Sequence, residues 1–255
     1  MREPDLSLCM PVFNEEEGIS DYLEELKLAF EGVNITIFIT EDRSTDNTLA
    51  ILNRKAEELK NLDITEHLNN KGHGISLTHA MEAAVKSKAS TIMTFDGDGQ
   101  VSGEELRNFY NEFNSSNYSY GEGIRANRND PWFRRLISSA TRLLVYFASG
   151  KFTKDGNTPV RIYKLEVARM LWRPLIVEKV SIPNLYVSSF ARLLGIPIFT
   201  LPIVWRDRLG KSSTGAGWGR QKFRMFPSKR LIHFCRDSTI SWFSKSPRQL
   251  IKHIR

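Results

Sequence analysis

The chain has 255 residues, of which 41% are hydrophobic and 25% are charged, and its formal net charge is +7. This composition is ordinary for a globular protein with a buried core, and no run of about 18 apolar residues is present to form a transmembrane helix. The two distant cysteines, Cys9 and Cys235, do not make a disulfide framework, so a reducing cytoplasm is the expected compartment. A predicted strand begins at Leu6, and we therefore expect no signal peptide.

Predicted strands and helices alternate through the first hundred residues. Apolar, β-favouring runs predict strands at residues 6–13, 35–40, 62–68 and 90–95. Apolar residues at helical spacing predict helices at residues 15–30, 46–59, 73–85 and 104–113. Strands separated by helices indicate an α/β fold with a doubly wound, mostly parallel sheet, and ligands of such sheets bind beyond the carboxyl ends of the strands.

The alternation becomes less regular after residue 118. The predicted elements are a strand at 118–124, an amphipathic helix at 132–147, a polar connection into a short strand at 154–163, a helix at 182–194 and a strand at 196–204. No internal repeat or low-complexity linker interrupts the chain. We therefore expect one domain over residues 1–214, followed by a basic, aromatic-containing extension over residues 215–255.

Positive charge is concentrated at the C-terminal end. Residues 206–255 contain thirteen Lys and Arg against Asp207 and Asp237. A basic segment with interspersed aromatic residues can contact an anionic membrane surface or a partner protein, or it can simply be a solvated charged face. Nucleic acid is not an expected partner, because the sequence has no helix-turn-helix, zinc-finger or RNA-binding pattern.

Polar residues follow each of the first four predicted strands. These groups are Asn14-Glu15-Glu16, residues 41–46, residues 69–72 and the pair Asp96 and Asp98. Each group alone has a structural interpretation as a turn or a helix cap. Together they are expected on one rim of a parallel sheet. The two carboxylates around Gly97 suit Mg²⁺ or Mn²⁺, and phosphate oxygens of a substrate would complete the coordination of such a cation.

In order and spacing, four segments resemble the signature of family-2 glycosyltransferases. They are residues 11–15 (PVFNE), 41–48 (EDRSTDNT), 70–72 followed by Ala80, and 96–100 (DGDGQ). Later segments at 123–131, 154–161 and 201–213 are similar to the polyprenyl-phosphate sugar transferases, the dolichyl-phosphate mannose synthase type. The resemblance covers residues 6–213. It implies a GT-A fold, a nucleotide-diphosphate sugar donor and Mg²⁺ or Mn²⁺ as cofactor.

The resemblance also implies roles for individual residues. The implied nucleotide- and substrate-binding residues are Pro11, Phe13, Glu15, Asp42, Lys71, Asp96, Gly97, Arg125 and Arg135. The implied metal ligands are Asp96, Asp98 and Gln100. The implied catalytic residues are Asp98, Asp155, Arg206 and Arg208, with Asp155 near the reacting sugar. The guanidinium groups fit phosphate oxygens by their fork geometry.

The sequence departs from the family pattern at several positions. Glu41 stands where Asp is usual, Arg43 where Gly is common, and Phe13 where Tyr is common. The last motif is one residue short, so Arg206 and Arg208 are alternatives for one role.

These departures affect the expected acceptor more than the donor. We expect a polyprenyl phosphate or another cell-envelope glycan or lipid precursor, with the protein peripheral on the cytoplasmic membrane face. The alternatives are a soluble hydroxyl acceptor, for which Asp155 is the expected general base, and a non-catalytic binding or scaffold subunit.

Three histidines and two tryptophans are less informative. His67, His73 and His79 show no metal-ligand spacing and are interpreted as structural or solvent-exposed. Trp172 and Trp205 are interpreted as core residues. A dinucleotide-binding dehydrogenase is disfavoured because the pattern Gly-x-Gly-x-x-Gly does not follow the first strand. A sugar-nucleotide pyrophosphorylase is disfavoured because such enzymes carry a glycine-rich phosphate loop near the N-terminus, whereas residues 10–14 contain no glycine.

Overall fold

The computed structural model describes residues 3–126, 132–210 and 229–253. Its described residues form one seven-stranded sheet in the order β3-β2-β1-β4-β6-β5-β7. The strands are β1 (Leu6–Val12), β2 (Ile35–Glu41), β3 (Leu62–Glu66), β4 (Thr91–Thr94), β5 (Tyr120–Ala126), β6 (Arg161–Lys164) and β7 (Phe199–Val204). The helices are α1 (Ile19–Ala29), α2 (Thr48–Glu58), α3 (His73–Lys86), α4 (Gly103–Asn114), α5 (Trp132–Ser149), α6 (Leu165–Glu178), α7 (Pro183–Leu193), α8 (Lys229–Ser244) and α9 (Pro247–Leu250).

The first four strands form the half of the sheet that the alternating pattern predicts. β1 lies between β2 and β4, parallel to both, and every residue of β1 is buried. Burial on both faces explains its nearly continuous apolar sequence, which is typical of central parallel strands. The predicted α/β class with a mostly parallel sheet is confirmed.

Strand β6 is the antiparallel member of the sheet. It pairs with β4 on one side and with β5 on the other, and β5 in turn pairs in parallel with β7. Because β6 runs against its neighbours, its first residue, Arg161, lies at the edge where the parallel strands end. The segment before β6, which contains Asp155, is therefore brought to the same rim as the polar groups after β1, β2, β3 and β4.

Two apolar cores cover the two faces of the sheet. One contains side chains of α1 and α4 such as Leu23 and Phe109, and the other contains side chains of α3, α6 and α7 such as Met81, Trp172 and Phe190. Helix α6 was not predicted, although Trp172 was correctly interpreted as a core residue. Pro174 lies inside this helix, which weakens its helical sequence pattern.

The described end of the predicted extension packs against α6 and α7. Trp242 is buried beside Tyr186, with ring centroids 4.9 Å apart, and the Tyr186 hydroxyl donates to the carbonyl oxygen of Lys245 at 2.9 Å. Lys245 also forms an ion pair of 2.9 Å with Glu178. Residues 211–228 and 254–255 lie outside the described part, so the division at residue 214 stays a prediction.

Within the described ranges, no helix combines the length and apolar character that crossing a membrane requires.

Candidate active site

The loops after β1 and β2 are joined by hydrogen bonds from backbone to side chain. Asn14, whose φ is 54°, donates its N–H to Ser44 Oγ at 2.9 Å and accepts from the Thr45 N–H at 2.8 Å. The Glu15 N–H donates to Thr48 Oγ1 at 2.8 Å. These contacts fix the backbone on which Glu15 enters the site. Phe13, the residue directly after β1, is half-buried.

Glu41, an unusual residue in the family pattern, has a structural role. Its side chain is buried and accepts from the backbone N–H groups of Arg43 at 3.1 Å and Ser44 at 2.6 Å. Arg43 has a φ of 61°, a conformation for which Gly is the usual choice. The carboxylate of Glu41 thus stabilises the turn that positions Asp42.

Asp42 is held by a buried hydrogen-bond chain. Its two oxygens accept from the N–H groups of Lys71 and Gly72, each at 2.8 Å, and Oδ1 lies 2.8 Å from His67 Nδ1. The other ring nitrogen of His67 lies 2.7 Å from His79 Nδ1. His67 and His79 therefore orient the carboxylate that the resemblance places at the nucleoside. Spacing could not reveal this, because the pair lies on separate elements.

Asp96 and Asp98 follow β4 on a turn that needs glycine between them. A Cβ on Gly97 would lie 2.7 Å from Val12 Cγ2 and 2.9 Å from the Pro11 carbonyl oxygen. Asp96 Oδ1 is 2.7 Å from His73 Nε2, a contact that sequence reasoning missed.

The Asp98 carboxylate is nearly buried and tied to the loop that follows it. Its Oδ1 accepts from the Gln100 N–H at 3.1 Å. Gln100 thus contacts the site through its backbone.

The carboxylates of this rim perturb one another. Burial raises the pKa of Glu15 to about 8, and Asp98 and Asp96 add to the effect while Arg208 opposes it. Burial and the charge of Asp96 raise the pKa of Asp98 to about 6. Burial also acts to raise the pKa of Asp96, but His73 and the nearby arginines outweigh it, so this pKa lies below its ordinary value. Placing several carboxylates together is costly unless a cation offsets their charge.

The donor atoms at this rim suit a hard divalent cation. Across the described part of the chain, no three His, Cys, Asp or Glu side chains come together as a metal-ion cluster. A pair of carboxylates completed by phosphate oxygens is nevertheless a usual way for proteins to bind Mg²⁺. The raised pKa of Asp98 fits such a site, because a bound cation would relieve its repulsion with Asp96.

The two candidate arginines of the last motif point in different directions. Arg208 donates to Glu15 Oε1, and the same guanidinium nitrogen lies 3.6 Å from Asp98 Oδ2. Arg206 donates to the Gly99 carbonyl oxygen at 2.7 Å and to Glu25 Oε2 at 2.6 Å. Arg208 therefore enters the carboxylate cluster, whereas Arg206 holds the loop after Asp98. The remainder of this motif, residues 211–213, lies outside the described residues.

Asp155 forms a paired contact with Arg125 on the other side of the rim. Arg125 Nε donates to Oδ2 at 2.7 Å, and its NH2 group donates to Oδ1 at 3.1 Å. Arg125 also stacks on Trp205 at 5.5 Å from the ring centroid. The Asp155 carboxylate is buried, and both of its oxygens are engaged.

A cavity of about 430 Å³ opens beside this pair. The cationic side chains that line it are Arg125, Arg135, Arg142 and Lys154. Ser138 and Ser139 of α5 add hydroxyl groups to the same wall. We call this the cationic cavity. The rest of the resembling segment that begins at Gly123, residues 127–131, lies outside the described part of the chain.

A buried ion cluster supports the β5 side of the site. Glu122 is fully buried and lies 3.0 Å from Arg161 and 2.9 Å from Arg192. It also accepts from the Ser188 hydroxyl at 3.0 Å. These contacts join β5, β6 and α7, and they fix the strand that carries Arg125 into the site.

Comparison with known proteins decides the family. Residues 7–170 match the family model described as "Glycosyl transferase family 2". The chain belongs to this family. The predicted family and the predicted enzyme class, glycosyltransferase, are therefore confirmed.

Two relatives show how far the similarity in sequence extends. The chain is 27% identical over 191 residues to the undecaprenyl-phosphate 4-deoxy-4-formamido-L-arabinose transferase of Pectobacterium atrosepticum, covering 74% of this chain and 57% of the relative. It is 24% identical over 208 residues to an uncharacterized protein of Methanocaldococcus jannaschii, covering 80% of this chain and 82% of the relative. The chain thus spans less than two thirds of the arabinose transferase.

Solved structures share the fold. A glucosyl-3-phosphoglycerate synthase from Mycobacterium tuberculosis, in complex with Mn²⁺, UDP and phosphoglyceric acid, superposes with a TM-score of 0.66 at 11% identity, covering 95% of this chain and 78% of the other. A mannosyltransferase from Pyrobaculum calidifontis, in complex with GDP-Man and Mn²⁺, gives a TM-score of 0.57 at 14% identity, covering 100% and 69%. Both superpositions show the same fold as this chain, so the predicted GT-A fold is confirmed.

Proposed function

We propose that this family-2 glycosyltransferase moves a sugar from a nucleotide-diphosphate sugar to a polyprenyl phosphate. The choice of a phosphate acceptor rests on one observation, the paired contact of Asp155 with Arg125 beside the cationic cavity. A carboxylate whose two oxygens both accept from a guanidinium is a poor general base. A hydroxyl acceptor needs such a base, whereas a phosphate oxygen is already anionic. Relatives named as undecaprenyl-phosphate sugar transferases support the same acceptor class.

The donor is assigned to the rim after β1, β2, β3 and β4. We infer that the nucleoside lies against residues 11–15 together with Asp42 and Lys71, as the family resemblance implies. Asp96 and Asp98 would hold Mg²⁺ or Mn²⁺ together with diphosphate oxygens, and Gln100 remains the proposed third ligand. When bound, the cation offsets the negative charge that develops on the leaving diphosphate. The Mn²⁺ in neighbouring structures supports a divalent metal.

We propose that the guanidinium of Arg208 stabilises the negative charge of the leaving diphosphate. It already spans Glu15 and Asp98, and its Nε is buried with no hydrogen-bond partner among the described residues. A diphosphate oxygen would satisfy that donor and would offset the loss of the contact with Glu15. Arg206, the alternative, is engaged with Gly99 and Glu25, so we assign it to positioning the loop.

The acceptor phosphate is assigned to the cationic cavity. Arg125, Arg135 and Arg142 surround it, and their charges would hold a phosphate oxygen opposite the departing diphosphate. Asp155 would orient Arg125 rather than remove a proton. An enzyme acting on such a lipid works at a bilayer, so we place the protein peripherally on the cytoplasmic membrane face.

A transfer assay tests the proposal. UDP-, GDP- and dTDP-sugars are incubated with the full chain, Mg²⁺ or Mn²⁺, and either undecaprenyl phosphate or a long-chain alcohol of the same length. The expected result is a glycosylated lipid phosphate with one donor, no product with the alcohol, and loss of product on adding a chelator. Product from the alcohol alone would overturn the assigned acceptor. Absence of transfer from every donor would favour the scaffold alternative.

Two variants separate the assigned roles. Asp98→Asn should remove metal-dependent donor binding, measured by calorimetry with the nucleotide. Asp155→Asn should raise KM for the lipid phosphate more than it lowers kcat, because the amide positions Arg125 less well but no proton transfer is lost. A fall of several orders of magnitude in kcat with unchanged KM would instead identify Asp155 as a general base.

A further inference from the structure

Helix α5 has three different faces. Leu144, Val145 and Ala148 pack into the core that also contains α7. Arg135, Ser138 and Arg142 line the cationic cavity. These two sets account for about half of the helix surface, because each residue turns the helix by about 100°.

The third face is apolar and exposed. Leu136, Leu143 and Phe147 are 60%, 52% and 71% exposed, and they fall within about 40° of one another around the helix axis. Phe152, in the loop that follows α5, is 78% exposed and stacks on Tyr146 with ring centroids 4.4 Å apart. We call Leu136, Leu143, Phe147 and Phe152 the apolar stripe. Scattered exposed apolar residues need no explanation, but a continuous helical stripe indicates a contact surface.

The surroundings of the stripe are positively charged. Arg135 and Arg142 occupy the neighbouring face of α5, and Lys151 and Lys154 flank Phe152 in sequence. Exposed aromatic and leucine side chains beside lysine and arginine are the pattern of helices that lie in the interface of an anionic membrane. The same charges disfavour a second copy of this chain as the occupant, because two such rims would repel each other.

We propose that the apolar stripe of α5 and Phe152 inserts into the surface of an anionic bilayer. This contact places the cationic cavity, on the adjacent face of the same helix, at the level of the lipid headgroups. A phosphate carried by a membrane lipid could then enter the cavity without leaving the bilayer. The membrane contact itself rests on the stripe and its charges, and only the use made of it rests on the proposed function.

Vesicle binding tests the contact directly. The full chain is sedimented with vesicles of phosphatidylglycerol and phosphatidylcholine, and the bound fraction is compared for the wild type, Leu143→Ser/Phe147→Ser and the control Leu28→Ser. Leu28 lies on α1 and is 70% exposed, so its substitution removes a similar apolar area elsewhere. We expect at least tenfold weaker partitioning for the double variant and less than a twofold change for the control. Equal binding by the double variant and the wild type would overturn the proposal and assign the contact to another segment, such as residues 215–255.

Four further measurements keep the outcomes distinct. Thermal unfolding and nucleotide binding of the double variant should match the wild type, which excludes a folding defect. Sedimentation velocity without lipid should show no change in oligomeric state, and a dimer lost on substitution would overturn the proposal in favour of self-association. Transfer to a short-chain, water-soluble polyprenyl phosphate should be equal in both proteins. If the wild type shows no transfer to that acceptor, the proposed function fails while the vesicle result still decides the membrane contact.

Discussion

Replacing Glu122 by glutamine perturbs the buried ion cluster that joins β5, β6 and α7. The carboxylate lies 3.0 Å from Arg161, 2.9 Å from Arg192 and 3.0 Å from the Ser188 hydroxyl, and it accepts from Tyr120 at 2.8 Å. Glutamine has nearly the same shape but no charge, so two buried guanidinium groups would lose their counter-charge. Removing one partner of a buried ion pair typically costs about 3–5 kcal/mol, and we expect a loss of this size.

The pH dependence of stability gives a second value for the free energy that the ionised Glu122 contributes to folding. Burial acts to raise the pKa of Glu122, but hydrogen bonds from Arg192 and the charge of Arg161 outweigh it and lower the pKa from 4.5 to about 2. At about 1.4 kcal/mol for each tenfold change in proton affinity, this difference corresponds to about 3 kcal/mol. Because the folded pKa is the lower one, this stabilisation is complete above the unfolded value and is lost as the pH falls toward the folded value.

Urea unfolding measures both effects. The free energy of unfolding is compared for the wild type, Glu122→Gln and Glu166→Gln at about pH 7 and at steps down to about pH 3. Glu166 is an exposed partner of Arg169, so its substitution should cost at most about 1 kcal/mol. We expect the wild type to lose its advantage over Glu122→Gln as the pH falls. The reasoning would be refuted if the unfolding free energies of the wild type and Glu122→Gln changed in parallel with pH. It would also be refuted if Glu122→Gln lowered the unfolding free energy by less than about 1 kcal/mol at neutral pH.

Three other substitutions test separate parts of the site. Gly97→Ala should weaken nucleotide binding at least about tenfold in calorimetry, since the added Cβ would lie 2.7 Å from a β1 side chain, and unchanged affinity would contradict the packing argument. His67→Phe should raise KM for the donor with little change in kcat, because Asp42 loses a 2.8 Å contact, and a selective fall in kcat would assign His67 to the chemical step. Ser102→Ala should cost about 1 kcal/mol in urea unfolding, because Ser102 Oγ caps α4 by accepting from the Glu105 N–H at 3.2 Å, and no loss would mean that the cap is replaced by water.

The regular half of the fold was predictable because its pattern is local. The strands β1, β2, β3 and β4 and the helices after them follow from apolar periodicity, and the polar groups at their ends follow from the rule that parallel strands end at one edge. Helix α6 was missed because Pro174 interrupts its pattern. The reversed direction of β6 was also missed, because strand direction depends on pairing between distant segments.

The site was predictable only in outline. Only Gly97 separates Asp96 from Asp98 in the sequence, so the proximity of the two carboxylates could be inferred. The contact of Asp42 with His67, the ion cluster around Glu122 and the diversion of Arg206 to Glu25 join residues on different elements. Contacts of this kind depend on side-chain packing in three dimensions, and no spacing rule in a single sequence encodes them.

The reversed strand also fixes a distance. Arg161 is the backbone partner of Thr94 in β4 and of Glu122 in β5. Asp96 lies two residues after the end of β4, and β5 continues to Arg125. The strands that lead to the proposed donor and acceptor sites are therefore two strand spacings apart, about 10 Å, by backbone pairing alone. This separation does not depend on the side chains around it. Under the proposed assignment, a change of donor or acceptor would arise by substitution in the loops and in α5 while the spacing of the strands that carry them stays constant.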